Sequence, residues 1–408
     1  MKILKVKIHK NKGFEYIIIL LCSLLPLVDS INGYFSGAKA IGSIYKILIL
    51  GILFFHIFLK NRGMSRKITT ILVVTITYIV FSLAINTALF SRTILSTEYP
   101  IKLIFNILLF GLFYQCIKKG TLTGSTFYRI LDNSAWLFAA CFLIPYCLGL
   151  GNKVYANNIG YKAFFVSQNE MSLVLIVLCF FVAYKLYLKI TLLNSMQLGL
   201  LFLCGLLCNT KSAIIACLLI VFILLIVKAI KGSFKSKIAV LVVGLVGFFL
   251  MRNTIISSID SMINRYMALK YNHYNGSVLT SVLSARDTFV TVEWNNMMKE
   301  QSAFKILFGN GFCSSHLIEM DFFDMFFFLG IIGVLSLCYF LIFLFKRIRE
   351  NTESDNSKLR LFTYIIILGF MFLAGHIIFM AISGSYFIIY CSYLITYNVA
   401  NDKADLED

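Results

Sequence analysis

The chain has 408 residues, 59% of them hydrophobic and 14% charged, with a mean hydropathy of +0.85 and a formal net charge of +18. A water-soluble domain carries about 25% charged residues, so this composition excludes a soluble globular fold and points to an integral membrane protein. The positive charge does not mark a nucleic-acid binder, because the basic residues fall in short clusters between apolar runs, where they act as topology signals.

In chain order, the basic tail MKILKVKIHKNK leads into an apolar run with no small-x-small cleavage site, which reads as a retained first span. From there the apolar runs predict a polytopic all-α bundle of about twelve transmembrane helices, each needing roughly 17–25 residues. They fall near 15–31, 40–59, 68–90, 100–117, 130–150, 171–190, 192–208, 212–230, 237–250, 322–345, 361–380 and 384–399. With the N-terminus inside, the basic clusters at the tail and at 60–67, 118–129, 185–189, 228–237 and 346–360 all fall on one side. The short loops on the other side, at 31–39, 91–99 and 151–169, hold only Lys39, Arg92, Lys153 and Lys162. That asymmetry predicts cytoplasmic N- and C-termini. The 11 cysteines are scattered singly, as in LLFLCGLLC, without Cys-x-x-Cys or Cys/His spacing, so neither a disulfide nor a metal site is expected. No repeat or appended segment divides the chain, and residues 1–408 read as a single transmembrane domain.

Residues 251–321 form the one large outer loop within it, with six Lys/Arg and six Asp/Glu. Amphipathic stretches such as TIISSIDSMINRYMALK and ARDTFVTVEWNNMMKE predict short helices lying on the bundle. An ordered loop of this length is usually functional.

Ionisable residues at the edges of spans then need a reason. Lys211, in CNTKSAIIA, is either a snorkelling lysine or a cation that meets a phosphate at a helix start. Asn169 and Glu170, in FFVSQNEMSLVL, open another span, where Ser167 or Asn169 can serve as the N-cap. Arg286, in SVLSARDTFVTVEW, either pairs locally with Asp287 or Glu293 or offers its planar guanidinium to phosphate oxygens, and Arg265 offers the same chemistry. Beyond GNGF, one short stretch holds His316, Glu319, Asp321 and Asp324 against an apolar run. If 319–333 is helical, Glu319 and Asp324 diverge, whereas Asp321 and Asp324 share a face. Asp321 can cap the span from 322. The remaining acids suit general-base work on a sugar hydroxyl or the binding of a divalent cation, and His316 is a further base or an ordinary loop residue.

Four stretches together resemble the O-antigen polymerase and O-antigen ligase superfamily of bacterial multi-span enzymes. QNEMSLVL resembles that family's Asn at the start of a span, and TKSAIIACLL its hydroxyl–basic–hydroxyl–small opening. LSARDTF resembles its small–small–Arg loop motif, and GNGF with EMDFFDMFFFLGIIG its Gly-x-Gly, polar, Gly-x-x-Gly ending. The ligases place His-Asn eleven residues before the first Gly of that ending. Here that position is Glu319, with His316 three residues earlier, which favours a polymerase over a ligase.

The resemblance implies an enzyme of the cytoplasmic membrane that moves a growing glycan from undecaprenyl diphosphate to a sugar hydroxyl of a new lipid-linked repeat unit. Glu319, Asp321 or His316 would serve the hydroxyl. Arg286, Arg265, Lys211 and Asn169 would serve the diphosphate. Neither cofactor nor metal is expected. The implied partners are the undecaprenyl diphosphate-linked oligosaccharide, membrane lipid, a chain-length regulator and a flippase. The rival readings are a ligase-type glycan transferase and a lipid-linked oligosaccharide flippase or transporter. A flippase would carry charges within many spans and two similar halves, and a transporter would carry paired broken helices, features not visible here.

Overall fold

A computed structural model describes residues 12–35, 40–59, 63–88, 94, 97–153, 160–210, 213–214, 219–220, scattered positions between 252 and 283, and residues 285–299, 303–314, 317–350, 356–373, 375 and 377–396. Most of the span expected near 212–230, the whole of that near 237–250, most of the stretch 254–270, and Lys211, Arg265 and His316 lie outside the described residues.

Helices dominate. α1 (Lys12–Ser23) and α2 (Leu25–Tyr34) together cross as one span, jointed where Pro26 opens the second piece. α3 (Ala40–Leu59), α4 (Arg66–Ala88), α5 (Glu98–Lys118) and α6 (Gly124–Cys147) follow. A small antiparallel pair, β1 (Asn152–Lys153) and β2 (Tyr161–Ala163), leads into α7 (Gln168–Leu188) and α8 (Leu192–Cys208). The described C-terminal part adds α9 (Arg286–Lys299), α10 (Ala303–Phe308), α11 (Asp321–Glu350), α12 (Asn356–Leu373) and α13 (Ala381–Thr396). Seven helical segments among the described residues are long and apolar enough to cross a membrane, and α8, the Leu359–Leu373 part of α12, and α13 are shorter apolar helices. The sequence-based expectation of an all-helical, multi-span membrane protein is met, and each described span begins or ends within a few residues of its expected position.

Burial divides the helices into two kinds. α7 is enclosed from Glu170 to Lys185 and α13 from Ala381 to Leu394, on every side. A helix apolar all round belongs in the centre of a bundle. α13 packs on α5, α6, α7 and α11. α4 is the opposite case. Only Leu72, Ile79, Ser82 and Asn86 are buried, one stripe at helical spacing, while residues such as Val74 face outward, where lipid would cover them.

That stripe supports a break in α11. Gly330 is non-helical, with φ 65° and ψ −165°, in the middle of the span. The freed carbonyl of Leu329 accepts a hydrogen bond from the Tyr78 hydroxyl. The Gly-Asn-Gly-Phe turn docks against the same break: Asn310 N–H donates to the Phe327 carbonyl at 2.7 Å, and Gly311 N–H to the Phe328 carbonyl at 2.9 Å. A Cβ on Gly330 would strike the Leu307 carbonyl oxygen, and one on Gly309 the Phe328 carbonyl carbon. Backbone therefore touches backbone at both glycines, which explains the spacing of the Gly-x-Gly and Gly-x-x-Gly elements.

Two expectations are corrected. The helix begins at Asp321, not at Glu319, so Glu319 and Asp324 are not related by a helical turn. The span expected over 361–380 stops at Leu373, and residues 377–380 form an irregular turn. The turn is held by side chains. The Asp321 carboxylate accepts from the N–H groups of Ile377 and Ile378, and the Asn106 amide donates to the carbonyls of Ile378 and Met380, both at 2.9 Å.

Candidate active site

The starts of α5, α7 and α11 lie at the end of the bundle that the charge pattern puts outside. Each functional side chain is set there by local backbone chemistry. α7 begins at Ser167, whose hydroxyl accepts from Glu170 N–H, which leaves Asn169 exposed on the first turn. α7 is stitched to the end of α8: Gln168 Nε2 donates to the Cys208 carbonyl at 2.7 Å, and the hydroxyls of Ser172 and Thr210 lie 2.8 Å apart. Thr210 Oγ1 in turn accepts from Ala213 N–H at 3.2 Å, on the far side of the undescribed Lys211 position.

Arg286 opens α9 directly after Ala285, whose φ is +66°. Ala285 N–H donates to the Thr280 carbonyl at 2.8 Å, and Thr280 Oγ1 donates to Asp287 Oδ2 at 2.6 Å. Asp287 is thus engaged by Thr280. The local Arg286–Asp287 or Arg286–Glu293 pair is not what forms. Arg286 instead meets Glu319 at 2.8 Å, through its NH2 nitrogen and Glu319 Oε2. The same oxygen accepts from Asn169 Nδ2 at 3.1 Å. Glu319 itself has φ +66°. A non-glycine residue in the left-handed region is uncommon and costly, and such positions cluster at functional sites. Two of them frame this one ion pair.

The pair is not closed to the outside. The Glu319 side chain is 40% exposed and that of Arg286 13%. Arg286 Nε is enclosed and has no hydrogen-bond partner among the described residues. An ionised carboxylate is an acceptor only, with room for more than one donor, and a guanidinium has five N–H groups. The site therefore combines an anchored acceptor for a hydroxyl with a cation that retains donor capacity for an anion.

The other two acids have different work. Asp321 is fully buried, and both of its oxygens take backbone N–H groups of the 377–378 turn. Asp324 is 1% exposed and accepts from Ile318 N–H at 2.9 Å and Met320 N–H at 3.1 Å, tying down the segment that carries Glu319. The expectation of Asp321 as a base is corrected on these grounds: its lone pairs are spent on backbone and it has no opening to a substrate. Nor does it cap the span from 322 as expected: its carboxylate bonds run to the distant 377–378 turn and not to the first turn of α11. Asn169, expected as a phosphate ligand, turns its amide toward Glu319. Among the described residues no group of three or more His, Cys, Asp or Glu is arranged to hold a metal.

Tyr99, on the first turn of α5, was not singled out from the sequence. It lies within electrostatic reach of Glu319, Asp324 and Glu170. A tyrosine at a span end reads as an ordinary interfacial residue, so the sequence carries no signal for it.

No curated protein matches this chain. Residues 268–400, a stretch that holds Arg286, Glu319 and the Gly330 break, match the family model described as O-antigen ligase like membrane protein, and this match supports the O-antigen ligase and polymerase superfamily for the chain and, with it, a membrane glycan-processing enzyme.

Proposed function

We propose that the protein is a polysaccharide polymerase at the outer face of the cytoplasmic membrane, with both termini inside. Its reaction transfers a growing glycan from undecaprenyl diphosphate to a sugar hydroxyl of a lipid-linked repeat unit. The observation that carries this reading is the convergence of Asn169, Arg286 and Glu319, from three separate segments, on one shared carboxylate oxygen.

In this scheme Glu319 accepts a hydrogen bond from the acceptor hydroxyl. The hydroxyl oxygen attacks the anomeric carbon of the donor's first sugar. The carbon–oxygen bond to the diphosphate breaks, and its electron pair leaves with undecaprenyl diphosphate. The hydroxyl proton passes to Glu319 and then to solvent. Asn169 holds Glu319 in place, and Arg286 meets the charge that develops on the leaving diphosphate. An incoming diphosphate competes with Glu319 for Arg286, so donor binding would loosen the resting ion pair and free the carboxylate for the acceptor. Lys211 and Arg265 are further candidate phosphate ligands. The scheme needs no metal, and the chain-length regulator and flippase stay as proposed partners.

Purified protein supplied with undecaprenyl diphosphate repeat units should produce a ladder of longer glycans. Absence of any ladder, with intact folded protein, would refute the polymerase reading. Cysteine labelling should find positions near 275 outside and positions near 64 and 352 inside, and an inside position for 275 contradicts the assignment. The family description favours a second reading, transfer of a finished glycan as in a ligase. Transfer to a lipid-anchored acceptor that is not a repeat unit, in one step without a ladder, would establish it. In that case His316→Ala should be inactive while Glu319→Gln remains active.

A further inference from the structure

We propose that Asp324 is a positioning residue for Glu319: its buried carboxylate fills a backbone nest over residues 318–320 and so holds Glu319 in the left-handed conformation that sends its side chain to Arg286 and Asn169. The proposal deepens the reading above and rests on its assignment of Glu319 to the acceptor hydroxyl.

Asp324 lies on the first turn of α11 and is 1% exposed. Its two oxygens are divided between the two sides of Glu319. Oδ1 accepts from Ile318 N–H at 2.9 Å, and Oδ2 accepts from Met320 N–H at 3.1 Å. The Asp324 N–H donates to the Met320 carbonyl at 2.9 Å, so both backbone groups of residue 320 are tied to residue 324. Glu319, between the two tied N–H groups, has φ +66°. Backbone N–H groups that converge across a left-handed residue form a concavity for an anion. Here the anion belongs to the chain itself, and it offsets a conformation that the Cβ of an L residue disfavours.

The side chains follow from that backbone. Ile318 and Met320 are buried in one cluster with Met297 of α9 and Phe327 of α11, whereas the Glu319 side chain between them is 40% exposed. Its carboxylate stands 2.8 Å from Arg286 and 3.1 Å from Asn169. Asp324 is too enclosed to meet a substrate and acts through Glu319. A carboxylate is needed for this, because it offers one acceptor oxygen to each N–H. The asparagine amide has a single acceptor oxygen, and its NH2 group would oppose the second N–H.

A double-mutant cycle over Glu319 and Asp324 tests the proposal. Glycan extension per folded molecule is measured in the full chain with saturating lipid-linked repeat unit, extracted from cells lacking this protein. Asp324→Asn should slow extension by up to about 10²-fold, the scale of a reacting group misplaced by about 1 Å. In the Glu319→Gln background the same change should cost no more than about twofold, the ordinary scatter of such cycles. An equal loss in both backgrounds overturns the positioning role, since a general structural defect would not depend on residue 319. Normal extension in Asp324→Asn overturns it as well.

Melting temperatures give a second measure that needs no activity. Glu319→Gly accepts positive φ without a clamp. Asp324→Asn should therefore cost roughly 1–3 °C less in that background, or fold there if it fails to fold alone. An equal loss, or failure to fold in both backgrounds, overturns the nest. If Glu319→Gln extends glycans at the normal rate, the catalytic reading itself falls, while the melting comparison still decides whether Asp324 holds residue 319.

Discussion

Two ion pairs at opposite ends of α7 show what separates a structural pair from a working one. At the C-terminal end, Lys185 bonds to Asp132 Oδ1 and to Gln197 Oε1 at 3.1 Å, and Gln197 returns its amide to the same carboxylate at 3.1 Å. The Lys185 ammonium also sits 5.7 Å from the ring centroids of both Tyr128 and Phe181, and its side chain is 8% exposed. The Asp132 side chain is 30% exposed, not far from Glu319 at 40%, so exposure alone does not separate the two pairs; here Lys185, Asp132 and Gln197 bond one another on helical backbone. At the N-terminal end, Arg286 and Glu319 sit at or beside left-handed backbone, Glu319 is well exposed, and Arg286 Nε is unused among the described residues. A buried pair holds a bundle together when its lone pairs and protons are all satisfied. A pair with capacity left over, on strained backbone, is placed to accept a ligand.

The largest expected effect on this contrast comes from Arg286→Ala. It should abolish polymer while the protein still reaches the membrane in normal amount, and Arg286→Lys should recover only part of the activity, since an ammonium lacks the planar fork. Polymer formation at the normal rate in Arg286→Ala would remove it from the site. Glu319→Gln keeps the shape and the contact to Asn169 but removes the charge. It should slow chain formation about 10²–10⁴-fold with little change in melting temperature, as measured by glycan ladders and thermal unfolding in detergent.

Asp321→Asn tests the other kind of acid. It places an amide against the N–H groups of Ile377 and Ile378, and should cost roughly 1.5–3 kcal/mol of stability, seen as a lowered melting temperature and a smaller yield. If Asp321→Asn is instead normally stable and catalytically dead, its assignment to the turn is wrong. Asp132→Asn should behave as Asp321→Asn does, with lost stability and an unchanged rate per folded molecule. The smallest effect is expected for Asn169→Ala. One neutral hydrogen bond to a charged oxygen is lost, and the rate should fall roughly tenfold, with the acceptor more affected than the donor. Activity surviving EDTA would agree with a carboxylate that acts as a base. Loss on chelation and recovery with a divalent ion would make Glu319 a metal ligand.

How far the site was legible differs residue by residue. Glu319 and Arg286 were picked out because a charge at the edge of an apolar run is costly and needs a reason. Asp321 and Asp324 carried the same signal and proved to hold backbone turns, because a sequence cannot say which N–H groups a carboxylate will find. Arg286 had nearer acids in Asp287 and Glu293, yet it pairs 33 residues away, since Thr280 occupies Asp287 and the positive φ at Ala285 turns the start of α9 toward Glu319. Asn169 reaches Glu319 across 150 residues, a contact no local pattern contains.

The sequence by itself determined the solvent and the helices, because apolar runs of bilayer length leave the backbone no option but helix. The glycine motifs were visible, but the break at Gly330 inside the span expected over 322–345, and the backbone contacts that exclude a side chain at Gly309 and Gly330, came only with the structure. Only the tertiary structure decided which polar groups meet. Three acids within a few residues of a span look alike in one dimension, and which groups each one meets depends on partners that distant helices bring. Packing α7, α9 and the start of α11 together buried Asp321 on a turn and left Glu319 facing out beside Arg286, and that difference is set by the bundle's geometry and not by any residue's own chemistry.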